Sequence, residues 1–153
     1  MRAFALLFVC LMGCTAGSPF GLAPRGAPVE NGLIIGDRLM LAGEADLALQ
    51  SYTRALGEFG MTAQVAASLG RANLALGRLG QAEPFLRQAT EAPNATPEMW
   101  NNLGVLLLET GRLVEARQVF RRGFALSNGQ NTTILQNLAL TLQKLDGTGY
   151  TGL

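Results

Sequence analysis

Between Pro97 and Leu126, the residues Trp100, Leu103, Gly104, Leu107, Gly111, Ala116, Phe120 and Gly123 recur at spacings that one amphipathic helix does not require. The pattern predicts two helices meeting at Thr110-Gly111, with a small residue on each where their backbones approach. It returns 34 residues earlier as Ala66, Leu69, Gly70, Gly77, Ala82, Leu86 and Ala89. It returns again, 34 residues before that, as Ile35, Gly36, Gly43, Ala48, Tyr52 and Ala55. A helix pair of this size cannot bury its apolar face alone, so successive pairs must stack and share one core. Three repeats follow, at 29–62, 63–96 and 97–130.

A 34-residue helix–turn–helix period with small residues at these positions resembles the tetratricopeptide repeat family, over about two thirds of the chain. The resemblance implies an all-α solenoid of three repeats, with the folded unit at 29–146. In repeat one, Glu30 to Met40 is the expected first helix, weakened by Gly32 where repeat three has Trp100. Ala45 to Leu56 is the second, turning Ala48, Tyr52 and Ala55 inward. Repeat two has helices at Ala63 to Ala75 and Leu79 to Ala89. Gly77 should end the first with a positive φ, and Pro84 is read as an early residue of the second, where a missing N–H costs little. Repeat three opens with Thr96 as N-cap, Pro97 at the first helical position and Glu98 in the first turn. There Trp100 and Leu107 are expected to pack toward repeat two, and Gly104 to lie close to Ala116. A last helix at 132–145 should bury Ile134, Leu135, Leu138, Leu142 and Leu145 on one face and cap the solenoid, leaving 147–153 as a tail.

The amino terminus has a different character. Arg2 precedes the apolar run Ala3 to Leu11, and Met12-Gly13-Cys14 follows. One positive charge, a short apolar run and a small residue before a processing point form an export signal over 1–13. The run is shorter than the roughly 20 apolar residues of a spanning helix. Leu11-Met12-Gly13-Cys14 resembles a bacterial lipobox, which implies cleavage before Cys14 and lipid on its sulfur. One acyl chain holds only marginally and two hold stably, so an acylated Cys14 would be a firm anchor. Thr15 stands where an aspartate retains many Gram-negative lipoproteins at the inner membrane, which favours the periplasmic face of the outer membrane. From Cys14 to residue 28, Gly17, Pro19, Gly21, Pro24, Gly26 and Pro28 interrupt any hydrophobic period. That composition reads as a flexible tether, although Phe20 and Leu22 could dock on the first repeat instead.

Removing residues 1–13 takes Arg2 and Cys10 with it. Eleven basic and eleven acidic residues then remain, a net charge of 0 that suggests no nucleic-acid partner. The chain has no histidine, the commonest general base and metal ligand at neutral pH. With Cys14 capped there is no free thiol for a nucleophile or a zinc site. The glycines follow the structural period and form no phosphate-binding loop. The expectation is therefore a non-enzyme with no metal and no cofactor. Arg112, Arg117, Arg121 and Arg122 gather on repeat three, either to meet anionic lipid or an acidic partner, or as a solvated face paired with Glu109 and Glu115.

Function then falls to the surface. In the tetratricopeptide family the second, fifth, ninth, twelfth and thirteenth positions of each first helix face an incoming peptide. By that resemblance the groove here consists of Glu30, Leu33, Asp37, Met40 and Leu41, then Gln64, Ala67, Arg71, Leu74 and Ala75, then Glu98, Asn101, Val105, Leu108 and Glu109. It offers an apolar floor with Asp37, Arg71 and Asn101 as polar handles for an extended or helical peptide. Arg71 is the only cation among these positions, so the basic clamp some family members use for a terminal carboxylate is absent.

A lipobox ending at Cys14, a Pro/Gly tether, three repeats and a closing Asn137-Leu138-Ala139-Leu140 helix resemble the TadD-type lipoprotein of Flp (tight adherence) pilus assembly. That resemblance implies a pilotin-like accessory that binds a secretin or another pilus component at the outer membrane. Two alternatives stay open: an outer-membrane scaffold of envelope biogenesis with a different client, and a secreted repeat protein without lipid.

Overall fold

The computed structural model describes residues 31–147 and 149, and every element in that range is helical. The helices are α1 (Gly32–Leu41), α2 (Ala45–Phe59), α3 (Ala63–Ala75), α4 (Leu79–Glu91), α5 (Pro97–Glu109), α6 (Leu113–Leu126) and α7 (Thr132–Gly147). Signal, tether, Cys14 and Glu30 lie outside the described residues. Consecutive helices pair as antiparallel hairpins, and the hairpins stack into a solenoid.

Local chemistry sets the ends of the elements. The Oδ1 of Asn31 accepts from the Ile34 N–H at 3.0 Å, Thr62 Oγ1 from Val65 at 3.2 Å, and Asn131 Oδ1 from Ile134 at 3.1 Å. Each satisfies one donor that a helix start would otherwise leave open. Thr96 has the extended backbone of an N-cap but makes no side-chain cap bond, and Pro97 starts α5 instead. At the first turn of every repeat the chain enters the left-handed region, with φ of 81° at Gly43, 68° at Gly77 and 73° at Gly111. Each of these turns closes two orphan carbonyls. In repeat one, Gly43 donates to Met40 at 3.1 Å and Glu44 to Leu39 at 2.9 Å. The same pair of bonds recurs at Gly77-Arg78 and Gly111-Arg112. Asn128, at φ 52°, does the same service between α6 and α7.

Within each hairpin, contact depends on a missing side chain. A Cβ placed on Gly36 would lie 2.5 Å from Tyr52 Cδ1, one on Gly70 2.6 Å from Leu86 Cδ2, and one on Gly104 2.6 Å from Phe120 Cδ1. The space that Gly104 leaves is filled by the Phe120 ring, a partner that the sequence-based expectation does not name. Ala116 is still fully buried, one turn away from the ring on the same face of α6. Tyr52, Leu86 and Phe120 are themselves fully buried. They belong to two clusters that run across repeat boundaries. One holds Tyr52, Ala48, Ala55, Val65, Leu69 and Ala72; the other extends from Ala82 and Leu86 through Leu103, Leu106, Leu107 and Phe120 to Ile134.

Three further readings change. Gly32 is buried, and a Cβ there would lie 2.9 Å from the Ala55 nitrogen and collide with the Ser51 carbonyl. It is a close-approach residue of a packed helix, not a mark of a weak one. Pro84 is the sixth residue of α4, past the first turn, so its ring removes a bond to the Gly80 carbonyl. Both residues are exposed, so water can satisfy that carbonyl. On α7 the buried stripe is Ile134, Thr141 and Leu145, with Leu138 partly covered, while Leu135 and Leu142 are exposed. Thr141 enters the core because its hydroxyl donates to the Asn137 carbonyl at 2.7 Å. Trp100 faces repeat two, as expected, beside Thr90, Pro93 and Ala95, and also meets its own repeat: Gly123 makes room for its Cβ and the Arg122 guanidinium lies over its ring, 4.4 Å from the centroid.

Candidate functional site

Alternate helices differ in what they touch. The backbones of α1 and α3, of α3 and α5, and of α5 and α7 approach each other closely, whereas those of α2, α4 and α6 do not, and α4 and α6 meet only through long side chains. The odd helices therefore form the crowded inner layer of a curved stack, and the even helices fan out behind it. On that inner layer α3, α5 and the start of α7 enclose two adjoining cavities of about 70 and 230 Å³. Gln64, Ala67 and Ser68 line the first, Asn101, Asn131 and Thr133 the second, and Arg71, Glu98 and Asn102 both.

Of the groove residues expected from sequence, Gln64, Ala67, Arg71, Glu98 and Asn101 line these cavities. Leu74, Val105 and Leu108 lean on the larger core cluster, and Leu33 and Met40 on the smaller. Leu41 is 89% exposed at the end of α1. Ser68, Asn102, Asn131 and Thr133 were not expected. Ser68 and Asn102 stand one repeat period apart, polar residues inside otherwise apolar helical stretches, and that recurrence was a readable signal.

The three polar handles are all engaged from within. Asp37 and Arg71 occupy the same register of successive repeats, which places them side by side, and they form an ion pair. Tyr52 completes the group: its hydroxyl donates to Asp37 Oδ1 at 2.7 Å and accepts from Arg71 Nη2 at 2.5 Å. Burial of the phenol, with the Asp37 carboxylate beside it, pushes the Tyr52 pKa up to about 12. Burial works against the Arg71 charge, but the Tyr52 and Asp37 oxygens outweigh it and its pKa is raised. Asn101 accepts from the Asn137 amide at 2.9 Å, joining α5 to α7. Glu98, by contrast, takes part in no ion pair among the described residues.

Arg112 of repeat three acts together with Arg87 of repeat two. Arg112 bonds Glu83 at 2.6 Å and Glu115 at 2.5 Å; Arg87 bonds the same two carboxylates at 2.8 and 2.7 Å. This closed ring of alternating charge links α4 to α6 on the outer layer. Its arginine hydrogen bonds lower the pKa of both glutamates, Arg112 having the larger effect on Glu83 and Arg87 on Glu115. Glu115 was expected as a partner and Glu83 was not. Among the described residues no three His, Cys, Asp or Glu side chains converge as a metal site would require, and no helix is long and apolar enough to cross a membrane.

Several solved structures share this architecture. The tetratricopeptide domain of Sgt2 from Aspergillus fumigatus matches with a TM-score of 0.72 at 20% identity, covering 77% of this chain and 79% of that one. The second tetratricopeptide domain of human RPAP3, solved with the HSP70 peptide SGPTIEEVD, matches at 0.64 and 22%, covering 72% and 92%. The first such domain of Spaghetti (RPAP3), bound to the HSP90 peptide SRMEEVD, matches at 0.68 and 18%, covering 76% and 94%. No curated protein sequence matches the chain. The tetratricopeptide repeat profile matches residues 35–97 and 86–130, more than half of the 153 residues. With the 34-residue period, the glycine–ring contacts and the paired helices, this chain belongs to the tetratricopeptide repeat family.

Proposed function

We propose that this protein is an adaptor that holds a segment of a partner polypeptide in the groove of α3, α5 and α7. The observation that carries the reading is the polar lining of that groove. Gln64, Ser68, Asn102, Asn131 and Thr133 offer amides and hydroxyls at the base of a concave surface, where they can match the donors and acceptors of an unpaired backbone. Fold neighbours solved with bound HSP70 and HSP90 peptides support a polypeptide as the ligand class. Nothing in the site calls for catalysis, and the reading is of a binding protein without a cofactor.

The adaptor works at a membrane. The apolar run before Cys14 and the sequence Leu11-Met12-Gly13-Cys14 support lipidation of that cysteine and placement at the outer membrane, facing the periplasm. Anchoring would raise the local concentration of the groove around membrane-bound clients, turning weak capture into stable association. The client we favour is a secretin or another component of Flp/Tad pilus assembly, following the sequence resemblance. A palmitate-analogue label that enters the wild-type protein, and is lost with membrane association in Cys14→Ser, is the expected result. Membrane fractionation of Cys14→Ser unchanged from wild type would refute the anchor. For the groove, Asn102→Arg should abolish capture of the client while leaving the helical circular dichroism intact; undiminished capture would move the binding surface elsewhere.

A further inference from the structure

We infer that the groove selects a cationic segment and turns away segments ending in acidic residues. This rests on the groove reading above and adds the class of partner. Among the described residues, the charged side chains that line the cavities are Arg71 and Glu98. Arg71 already bonds the Asp37 carboxylate and the Tyr52 hydroxyl. Both bonds use Nη2, so the Asp37 carboxylate already offsets the Arg71 charge, and an incoming carboxylate would meet Asp37 as a like charge beside it. Glu98 lacks a counter-ion and is exposed at the groove.

A second carboxylate extends the same bias. Glu109 ends α5, is exposed, and takes part in no ion pair among the described residues. The negative pole of the helix dipole disfavours a carboxylate at that end, which a cationic ligand would relieve. Glu98 and Glu109 stand eleven residues apart on one helix, about 16 Å along its axis. An extended segment of about five residues covers that distance. Four arginines of repeats two and three are engaged away from these carboxylates. Arg87 and Arg112 close the carboxylate ring, Arg78 pairs with Asp46, and Arg122 covers Trp100.

The test uses the full chain carrying a photo-crosslinking residue in place of Asn102, with a control carrying it in place of Gln118 on α6. Each is exposed to three pools of amidated nonapeptides, acidic, uncharged and basic. At low salt the basic pool should crosslink from position 102 about three- to tenfold more than the acidic pool, and the ratio should shrink as salt is raised. The double substitution Asp37→Asn with Glu98→Gln should bring that ratio close to one. Equal or greater crosslinking of the acidic pool in the unsubstituted chain overturns the charge selectivity and leaves the groove reading standing. If no pool crosslinks from position 102 above the level at position 118, the groove reading fails and the selectivity fails with it.

Discussion

Gly104→Ala isolates the contact on which each hairpin depends. Alanine is the better helix former, and at an open helical position the change gains about 0.8–1.0 kcal/mol. At residue 104 the new Cβ would sit 2.6 Å from Phe120 Cδ1 and 2.7 Å from Cζ. Cε1 is nearer still and ordinary contact begins near 3.4 Å, so the ring or the helix must move by about 1 Å. The ring cannot swing outward, because Phe120 is fully buried among Ala82, Leu103, Leu107 and Val119. Overpacking of this kind costs about 1–3 kcal/mol, which cancels or outweighs the propensity gain and leaves a net loss of up to about 2 kcal/mol. Gly57→Ala is the matched control: residue 57 is helical, and a Cβ there would meet nothing within 4 Å. It should stabilise by up to about 1 kcal/mol. Urea unfolding followed by circular dichroism reads both, with midpoints moving in opposite directions. Phe120→Ala alone should cost about 3–5 kcal/mol, and combined with Gly104→Ala it should cost less than the sum. A Gly104→Ala midpoint that rises as Gly57→Ala does would refute the close-approach account.

Gly111→Ala places a side chain at φ 73° and should cost about 1–2 kcal/mol in the same assay, with Gly111→Asn milder, as Asn128 at φ 52° suggests. Tyr52→Phe removes a hydroxyl bonded to both Asp37 and Arg71 and should lose about 1.5–3 kcal/mol. In an alkaline titration read by phenolate absorbance, Tyr52 should ionise only near pH 12. Because its folded pKa lies above the unfolded value, the Tyr52 contribution to stability is complete below about pH 10 and disappears as pH rises through the folded value. Glu83 and Glu115 have lowered pKa values, so their contribution is present above the usual glutamate pKa and is lost as pH falls through the folded ones. The double change Glu83→Gln with Glu115→Gln should therefore flatten the fall in melting temperature between about pH 5 and pH 3. An unchanged acid limb would show that the ring of charges carries no stability.

Much of the fold is legible in the sequence because one period governs it. A 34-residue repeat assigns each residue a register, and register alone supplies the helix pairs, the turn glycines and the buried Ala48, Ala82 and Ala116. Register does not say which side chain fills a gap, and only the structure shows that the Phe120 ring occupies the space at Gly104. The last helix shows the same limit. Hydrophobicity points to Leu142, but the core takes Thr141, whose hydroxyl is satisfied by its own helix. In the groove, Asp37 and Arg71 read as independent handles until three dimensions place them against each other and Tyr52. Their shared register was the clue, since equivalent positions on neighbouring inner helices become neighbours. The Glu83–Arg87–Glu115–Arg112 ring crosses from α4 to α6, and a search for partners along one helix cannot find it.

The most direct test of the adaptor account is crosslinking in cells of the native host, with the photo-crosslinking residue at position 102 and, separately, at position 118, and mass spectrometry of what is joined. The account predicts a discrete partner protein attached from position 102 and absent from position 118. A pilus-assembly protein among the products would support the finer assignment as well. No adduct from position 102, or the same adducts from both positions, would contradict a binding groove on the inner face.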